Sequence, residues 1–393
     1  MQNFQRLRSA LVVIHRYSGL FMAVFLIIAG LTGSVITFYR EFDKSLNPEL
    51  FLAEERGPAL SLSELSQKIE AAYPQARTSF MRVGREPGES VLSWITPRTN
   101  PQTGKPFELP HTQVFVHPVT GDILGGRQFG VLSTEKKDLI PFLYKLHYKL
   151  HLPEKSGMWL MGGVAMLLTL NCLIAFYLAI PQKGPLWKAF GLSWNGDAGR
   201  FNFDLHRAAG LWFWAVLLVI GFTSVYLNLR VEVFTPAVEL FSPVTKDPIQ
   251  KARALSQPLA QPAVDWNKAL VLAQAALRKE GGRETKPDGI SLDYKKGIYR
   301  IRFHSDQDIA YYGDTRVYID ATSGENKGIL RRGDGTAGDT IMQWQYPLHS
   351  GQALGMAGRI VVFIAGLVTA LLSITGIVVW LGKRKRNPGR IQG

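Results

Sequence analysis

The residues of this chain best suited to chemistry are histidines set at the edges of long apolar runs. His15 opens HRYSGLFMAVFLIIAGLTG and His206 opens HRAAGLWFWAVLLVIGFTS. His15, Gly19, Gly30 and Thr32 thereby recur as His206, Gly210, Gly221 and Thr223 at a constant offset of 191 (206 minus 15). His147 and His151 lie in KLHYKLHLP and His349 in WQYPLHSGQALGMAG, each ahead of a further apolar run. Ionisable side chains at membrane depth are costly, so the same cost accepted twice points to a purpose. Neutral imidazole is a metal ligand, and one imidazole from each of two facing helices is what bis-histidine ligation of a haem iron requires.

Neighbouring residues fit that chemistry. Gly19 and Gly210 stand four residues after their histidines, on the same helix face one turn along, where a side chain would meet a flat macrocycle; close packing of helices through small residues explains them equally. Arg16 and Arg207 suit haem propionates, or the simple anchoring of a cytoplasmic helix end. Zinc is the competing metal, because His147 and His151 have the i, i+4 spacing of a helical two-ligand set. No third ligand stands nearby, however, and His15 and His206 have no cysteine or carboxylate companion, so two haems account for both sets of histidines and zinc for one. The single cysteine, Cys172, excludes a disulfide framework, a cysteine metal site and a two-cysteine redox pair. Spacing leaves the ligand ahead of the second run open. His349 stands nine residues before Gly358 and six before Gly355, while His147 stands ten and His151 six before Gly157.

The elements that must position these residues are membrane helices. Residues 20–38, 157–180, 208–229 and 360–382 contain no Asp, Glu, Lys or Arg and have 19 to 24 residues each, enough at about 1.5 Å per residue to cross a bilayer. The net charge of +14 does not call for nucleic acid, since the basic residues sit at helix ends: Arg6, Arg8 and Arg16; Lys183, Lys188 and Arg200; and KRKR at 383–386. By the positive-inside rule these ends, including both termini, are cytoplasmic. The expected order is membrane helix one over 11–39, an outer domain over 40–144, helix two with its histidine lead over 145–180, a cytoplasmic link over 181–203, helix three over 204–229, a second outer domain over 230–343, helix four over 344–382 and a basic tail over 383–393. No signal-peptide cleavage site follows the first run, so helix one is expected to remain as an anchor.

Each outer domain reads as one helix and a small antiparallel sheet: a helical stretch at 60–73 or 266–277, then alternating stretches, then VHPVTGDILG or YIDATSGENKG as a strand, turn and strand. The predicted fold is therefore an α-helical integral membrane protein, a four-helix bundle carrying two α+β outer domains, built by internal duplication.

The combination of HRYSGL…GLTG, the Leu146-His147 pair, HRAAGL and HSGQALGMAGR…SITG, with two outer domains ending in Thr-Gly turns, resembles the bacterial PepSY-associated transmembrane family. Within it the chain is most similar to inner-membrane siderophore reductases of the ferrioxamine type. The resemblance implies two PepSY-like periplasmic domains and two b-type haems, one held by His15 and His206, the other by His349 with His147, or with His151 as substitute. It also implies reduction of a periplasmic ferric siderophore, with release of Fe²⁺ for iron uptake. Met158 departs from the arginine that the family often has there. A strand-linked GxGxxG and a P-loop are both absent from the sequence, so the expected electron donor is a membrane quinol or a separate cytoplasmic protein. Rival expectations are a membrane-anchored regulator of a periplasmic protease, or a transport component.

Overall fold

The computed structural model describes residues 2–386 apart from 55, 56, 85, 183, 195, 196, 282–284, 307 and 332; Lys183 and the end of the basic tail lie outside the described residues. In chain order the elements are α1 (Gln2–Ile36), α2 (Tyr39–Leu46), α3 (Pro48–Phe51), α4 (Leu62–Ala72), β1 (Ala76–Arg82), β2 (Val91–Pro97), β3 (Gln113–Val116), β4 (Ile123–Arg127), α5 (Lys136–Lys149), α6 (Glu154–Ala179), α7 (Ala198–Leu229), α8 (Thr235–Glu239), α9 (Pro248–Lys251), α10 (Trp266–Lys279), β5 (Lys286–Asp293), β6 (Ile298–His304), β7 (Thr315–Asp320), β8 (Asn326–Leu330), α11 (Ala337–His349) and α12 (Gly355–Arg386). They form two compact units. One holds residues 1–39, 143–241 and 341–393, the other residues 40–142 and 242–340.

The first unit contains four candidate membrane spans among the described residues, Phe4–Ile36, Glu154–Ala179, Ala198–Glu239 and Gln352–Arg384, with mean hydropathy from 1.9 to 2.5. A helix satisfies every backbone group within its own segment, which is what an apolar surrounding demands. Helices α1 and α12 cross through small residues: a Cβ on Gly30 would stand 2.5 Å from the Gly366 carbonyl oxygen, and the Ser34 hydroxyl donates to the Phe363 carbonyl at 2.7 Å. The third span runs past the expected end at 229, through a π-helical turn over Arg230–Phe234 and into α8.

The two stretches expected as single elements, 145–180 and 344–382, are each broken by a tight turn. Leu150 and His151 adopt left-handed backbone (φ 56 and 57) between α5 and α6, and Gly351 (φ 76) and Gly355 (φ 59) do so between α11 and α12. His147 and His349 therefore end short helices of their own, ahead of the spans. Each turn closes against a glycine in the following helix. A Cβ on Gly157 would stand 2.5 Å from the Lys149 carbonyl, and one on Gly358 would strike the Gly351 carbonyl. Gly157 and Gly358 are thus the equivalent positions, and that alignment sets His147 opposite His349 in the two leads.

In the second unit the two stretches expected as separate outer domains share one sheet. Its order is β4-β3-β2-β1-β5-β6-β7-β8, antiparallel throughout. The halves join where Phe80, Met81 and Arg82 pair with Ser291, Ile290 and Gly289. A four-stranded half with one helix exposes a strand edge and an incompletely covered face, and pairing β1 with β5 removes both liabilities. Helices α4 and α10 cover the same face: Leu65, Ile69, Ala269 and Ala273 pack with Met81, Ile290, Ile301 and Val317 in one core. The Ser63 hydroxyl donates to Asp265 at 3.0 Å, and Asn267 accepts the Leu62 N–H at 2.9 Å. A Ser61–Glu64 capping box starts α4. The Thr-Gly turns read from the sequence are alike. His117 Nδ1 in one and Asp320 in the other accept two successive backbone N–H groups, and Gly121 and Gly324 take the left-handed position (φ 73 and 79).

Candidate functional site

The histidines of the helical unit meet as two pairs. The His15 and His206 rings face each other with centroids 6.3 Å apart and planes at 68°. The His147 and His349 rings do the same at 6.2 Å and 59°. Two imidazoles on opposite sides of one metal ion put their ring centres about 6 Å apart, because the metal–nitrogen bond is about 2 Å and the ring centre lies about 1 Å behind the nitrogen. Both pairs have that separation.

All four rings are oriented through Nδ1. His15 Nδ1 bonds to Asn171 Oδ1 at 2.8 Å, and His206 Nδ1 to Thr375 Oγ1 at 2.9 Å. His147 Nδ1 donates to the Ala29 carbonyl at 3.0 Å and His349 Nδ1 bonds to Thr223 Oγ1 at 3.1 Å, with Thr32 Oγ1 3.3 Å from His147 Nδ1. Each threonine spends its own hydroxyl hydrogen on a carbonyl four residues back: Thr375 on Leu371 at 2.8 Å, Thr223 on Val219 at 2.7 Å and Thr32 on Ile28 at 2.6 Å. The hydroxyl oxygens thus accept from the imidazole N–H, so the proton resides on Nδ1 and Nε2 keeps its lone pair. This is the outer-shell arrangement of metal-ligating histidine. Helices α6 and α12 brace the first pair; α1 and α7 brace the second.

Glycines shape the surroundings. A Cβ on Gly33 would stand 2.9 Å from His147 Cε1, and one on Gly376 would stand 3.3 Å from His206 Cε1, so both make room for a ring. At Gly19 and Gly210 the nearest atoms to such a Cβ are Asn171 Nδ2 and Leu372 Cδ2, both at 3.8 Å. Close helix packing of the Gly30 kind therefore does not explain these two. A Cβ at either position would make one ordinary van der Waals contact.

Other expected site residues are placed differently. His151 lies in the left-handed turn after α5, and the ring facing His349 is that of His147. Arg207 pairs with Asp204 at 2.9 Å and donates to the Ala189 and Gly191 carbonyls at 3.0 and 3.3 Å, so it pins the link between the second and third spans. Arg16 is half-buried beside His15. Among the described residues no group of three or more His, Cys, Asp or Glu side chains gathers as a metal site.

Residue type and local spacing alone give no role to Asn171, Thr375, Gly33 or Gly376, nor to the threonines of the repeat. Signals existed. Thr32 and Thr223 belong to the 191-residue repeat, Asn171 is the lone amide side chain of its apolar run, and Thr375 and Gly376 lie in SITG.

Fold and site together define a four-span α-helical membrane protein with an antiparallel α+β sheet unit and two facing histidine pairs in its helical part. The chain belongs to the PepSY-associated TM region family, whose model matches residues 12–383 and so spans both units. A comparison with curated proteins finds no match.

Proposed function

We propose that this chain is a di-haem membrane oxidoreductase that delivers single electrons to a ferric siderophore. The observation that carries the proposal is the pair of imidazole pairs, with ring centres 6.3 and 6.2 Å apart and each fixed through Nδ1 so that Nε2 is available. Haem b, when bound, supplies reversible one-electron Fe³⁺/Fe²⁺ chemistry. His15 and His206 would hold one such group and His147 and His349 the other. Gly19 and Gly210 would admit the macrocycle beside the first pair, and Arg16 would lie near a propionate.

His15 and Thr32 are seventeen residues apart on α1 (32 minus 15), as are His206 and Thr223 on α7, about 26 Å of helix. The two pairs are therefore spaced across most of a bilayer, an arrangement suited to moving charge from one face to the other. Ferric iron in a siderophore is held by hard oxygen donors, and reduction to Fe²⁺ weakens those bonds and releases the metal. The resemblance points to chelates of the ferrioxamine type as substrate and to a membrane quinol or a cytoplasmic protein as donor. Arg6, Arg8, Lys188, Arg200 and Lys383 support a bacterial inner-membrane placement with both termini cytoplasmic and the sheet unit periplasmic. The matching pairs Thr32–His147 and Thr223–His349 support an origin by internal duplication.

The test is the absorption spectrum of the detergent-purified protein, oxidised and dithionite-reduced. Two b-type haems per chain are expected. A protein free of porphyrin would overturn the proposal and leave an anchored regulator as the better reading. Within this reading Gly33→Leu is expected to push the His147 ring out of line, because a Cβ alone already comes within 2.9 Å of it. Pyridine haemochrome analysis should then give about one haem per chain, with the first pair's spectrum retained.

A further inference from the structure

A second cluster of chemistry-bearing residues lies in the sheet unit, at the join of its two halves. Arg82, Gly289, Arg302 and Arg316 are successive register partners across β1, β5, β6 and β7, so they share one face of the sheet. Their neighbours Met81, Ile290, Ile301 and Val317 fill the core on the opposite face. Gly289 leaves a gap in that row: a Cβ there would stand 2.7 Å from the Phe80 ring and 3.2 Å from Arg302 Nη2.

Two exposed tyrosines stand over the row, Tyr311 and Tyr312, 45% and 38% accessible. Arg40 and Arg82 lie 4.8 and 5.0 Å from the Tyr311 ring centre, and Arg82 and Arg302 lie 5.7 and 5.1 Å from that of Tyr312. The nearby carboxylates are already engaged. Glu89 is held by Arg40 at 2.5 Å and Lys44 at 2.7 Å. Asp288 sits 3.5 Å from Arg302 and accepts the Gly313 N–H at 3.3 Å, and Asp308 accepts the Ser305 N–H at 2.9 Å and faces His304 at 3.3 Å. Arg82 Nε donates to the Gly84 carbonyl at 2.9 Å. Burial, and after it the charge of Arg40, pull the Arg82 guanidinium below its ordinary value, while Asp288 and Glu89 act in the opposite sense. An anion placed between these guanidiniums would relieve that repulsion.

We propose that the Arg40, Arg82 and Arg302 guanidiniums with the Tyr311 and Tyr312 rings form a binding site for an anionic aromatic chelate, the catecholate class of iron complex. Guanidinium forks recognise the oxyanions, and the tyrosine faces recognise the aromatic rings. A ferric tris-catecholate is a trianion, whereas a ferric tris-hydroxamate is neutral, so the site discriminates by charge and favours the catecholate over the hydroxamate that the resemblance alone suggests. That the ligand is an iron chelate rests on the function proposed above; the anion site itself does not.

The probe is gallium(III) tris-catecholate, which cannot be reduced, measured against the full-length detergent-solubilised protein by equilibrium dialysis. The wild type is expected to hold it about ten-fold or more tightly than neutral gallium(III) tris-hydroxamate, the scale of one charge-assisted hydrogen bond. The double variant Arg82→Gln, Arg302→Gln should lose that preference, and wild-type binding should weaken with salt. Tyr312→Leu, at an exposed position, should reduce binding of the catecholate while leaving that of inorganic phosphate unchanged. Equal affinity for catecholate and hydroxamate, equal affinity for catecholate and phosphate, or undiminished binding by the double variant would overturn the site. Because gallium takes no electron, a colourless protein that binds the trianion refutes the redox reading and keeps this one, and a haem-loaded protein that ignores it does the reverse.

Discussion

His349→Ala is expected to remove one of two haem signals and leave the other, with about half the porphyrin retained per chain. His349 and His147 face each other as a pair, while His15 and His206 form the other, held by different helices. Without the His349 imidazole, His147 alone would not hold a haem, so the group should be lost from that pair only. His15→Ala and His206→Ala should each abolish the complementary signal, and His349→Ala combined with His206→Ala should leave none. His151→Ala should retain both, because its backbone lies in the turn and the ring opposite His349 is that of His147. Redox titration followed at the reduced b-type band separates these outcomes. Identical spectra from the His349 and His206 variants would sink the assignment of two distinct sites.

The second large effect concerns stability. Arg127 and Asp43, 1% and 0% accessible, are joined in a two-pronged ion pair at 2.8 and 2.7 Å. Arg127 also donates to Gln113 Oε1 at 2.8 Å and to the Lys137 carbonyl at 2.7 Å, and its guanidinium lies 5.2 Å from the Phe115 ring centre. One side chain thereby fastens α2, β3, β4 and the start of α5. Removing one member of such a pair leaves a buried charge with neither water nor counter-ion, so Arg127→Met should destabilise the sheet unit by about 3–5 kcal/mol. The double change Asp43→Leu, Arg127→Met removes both charges and should recover a large part of that loss. Thermal unfolding in detergent, read by circular dichroism and protease resistance, measures both. The haem spectrum should persist in the folded variants, because the four histidines belong to the other unit. A single variant as stable as the wild type would show that the pair contributes nothing net.

Much of the molecule is legible along the chain because its causes are local. Four charge-free runs of bilayer length declare four spans, and the His-Arg motif at offset 191 identifies two of the four histidines that pair. The Thr-Gly turns name themselves through a left-handed glycine, and Ser61 with Glu64 marks the start of α4. Each of these signals is read within a few residues, or by comparing one stretch with its own repeat.

Tertiary structure decided what depends on residues far apart. Spacing left His147 and His151 open, and the choice fell to a turn whose left-handed residues and glycine contact close α5 against α6 and carry His147, not His151, to His349. The Nδ1 partners Asn171 and Thr375 come from helices more than 150 positions away from the histidines they orient, and no local pattern pairs them. Two apparent outer domains became one eight-stranded sheet because an unpaired edge at β1 found its match at β5, some two hundred residues on. Periodicity specifies which face of a strand is apolar, but the identity of its neighbour is settled only when the folded chain buries that edge.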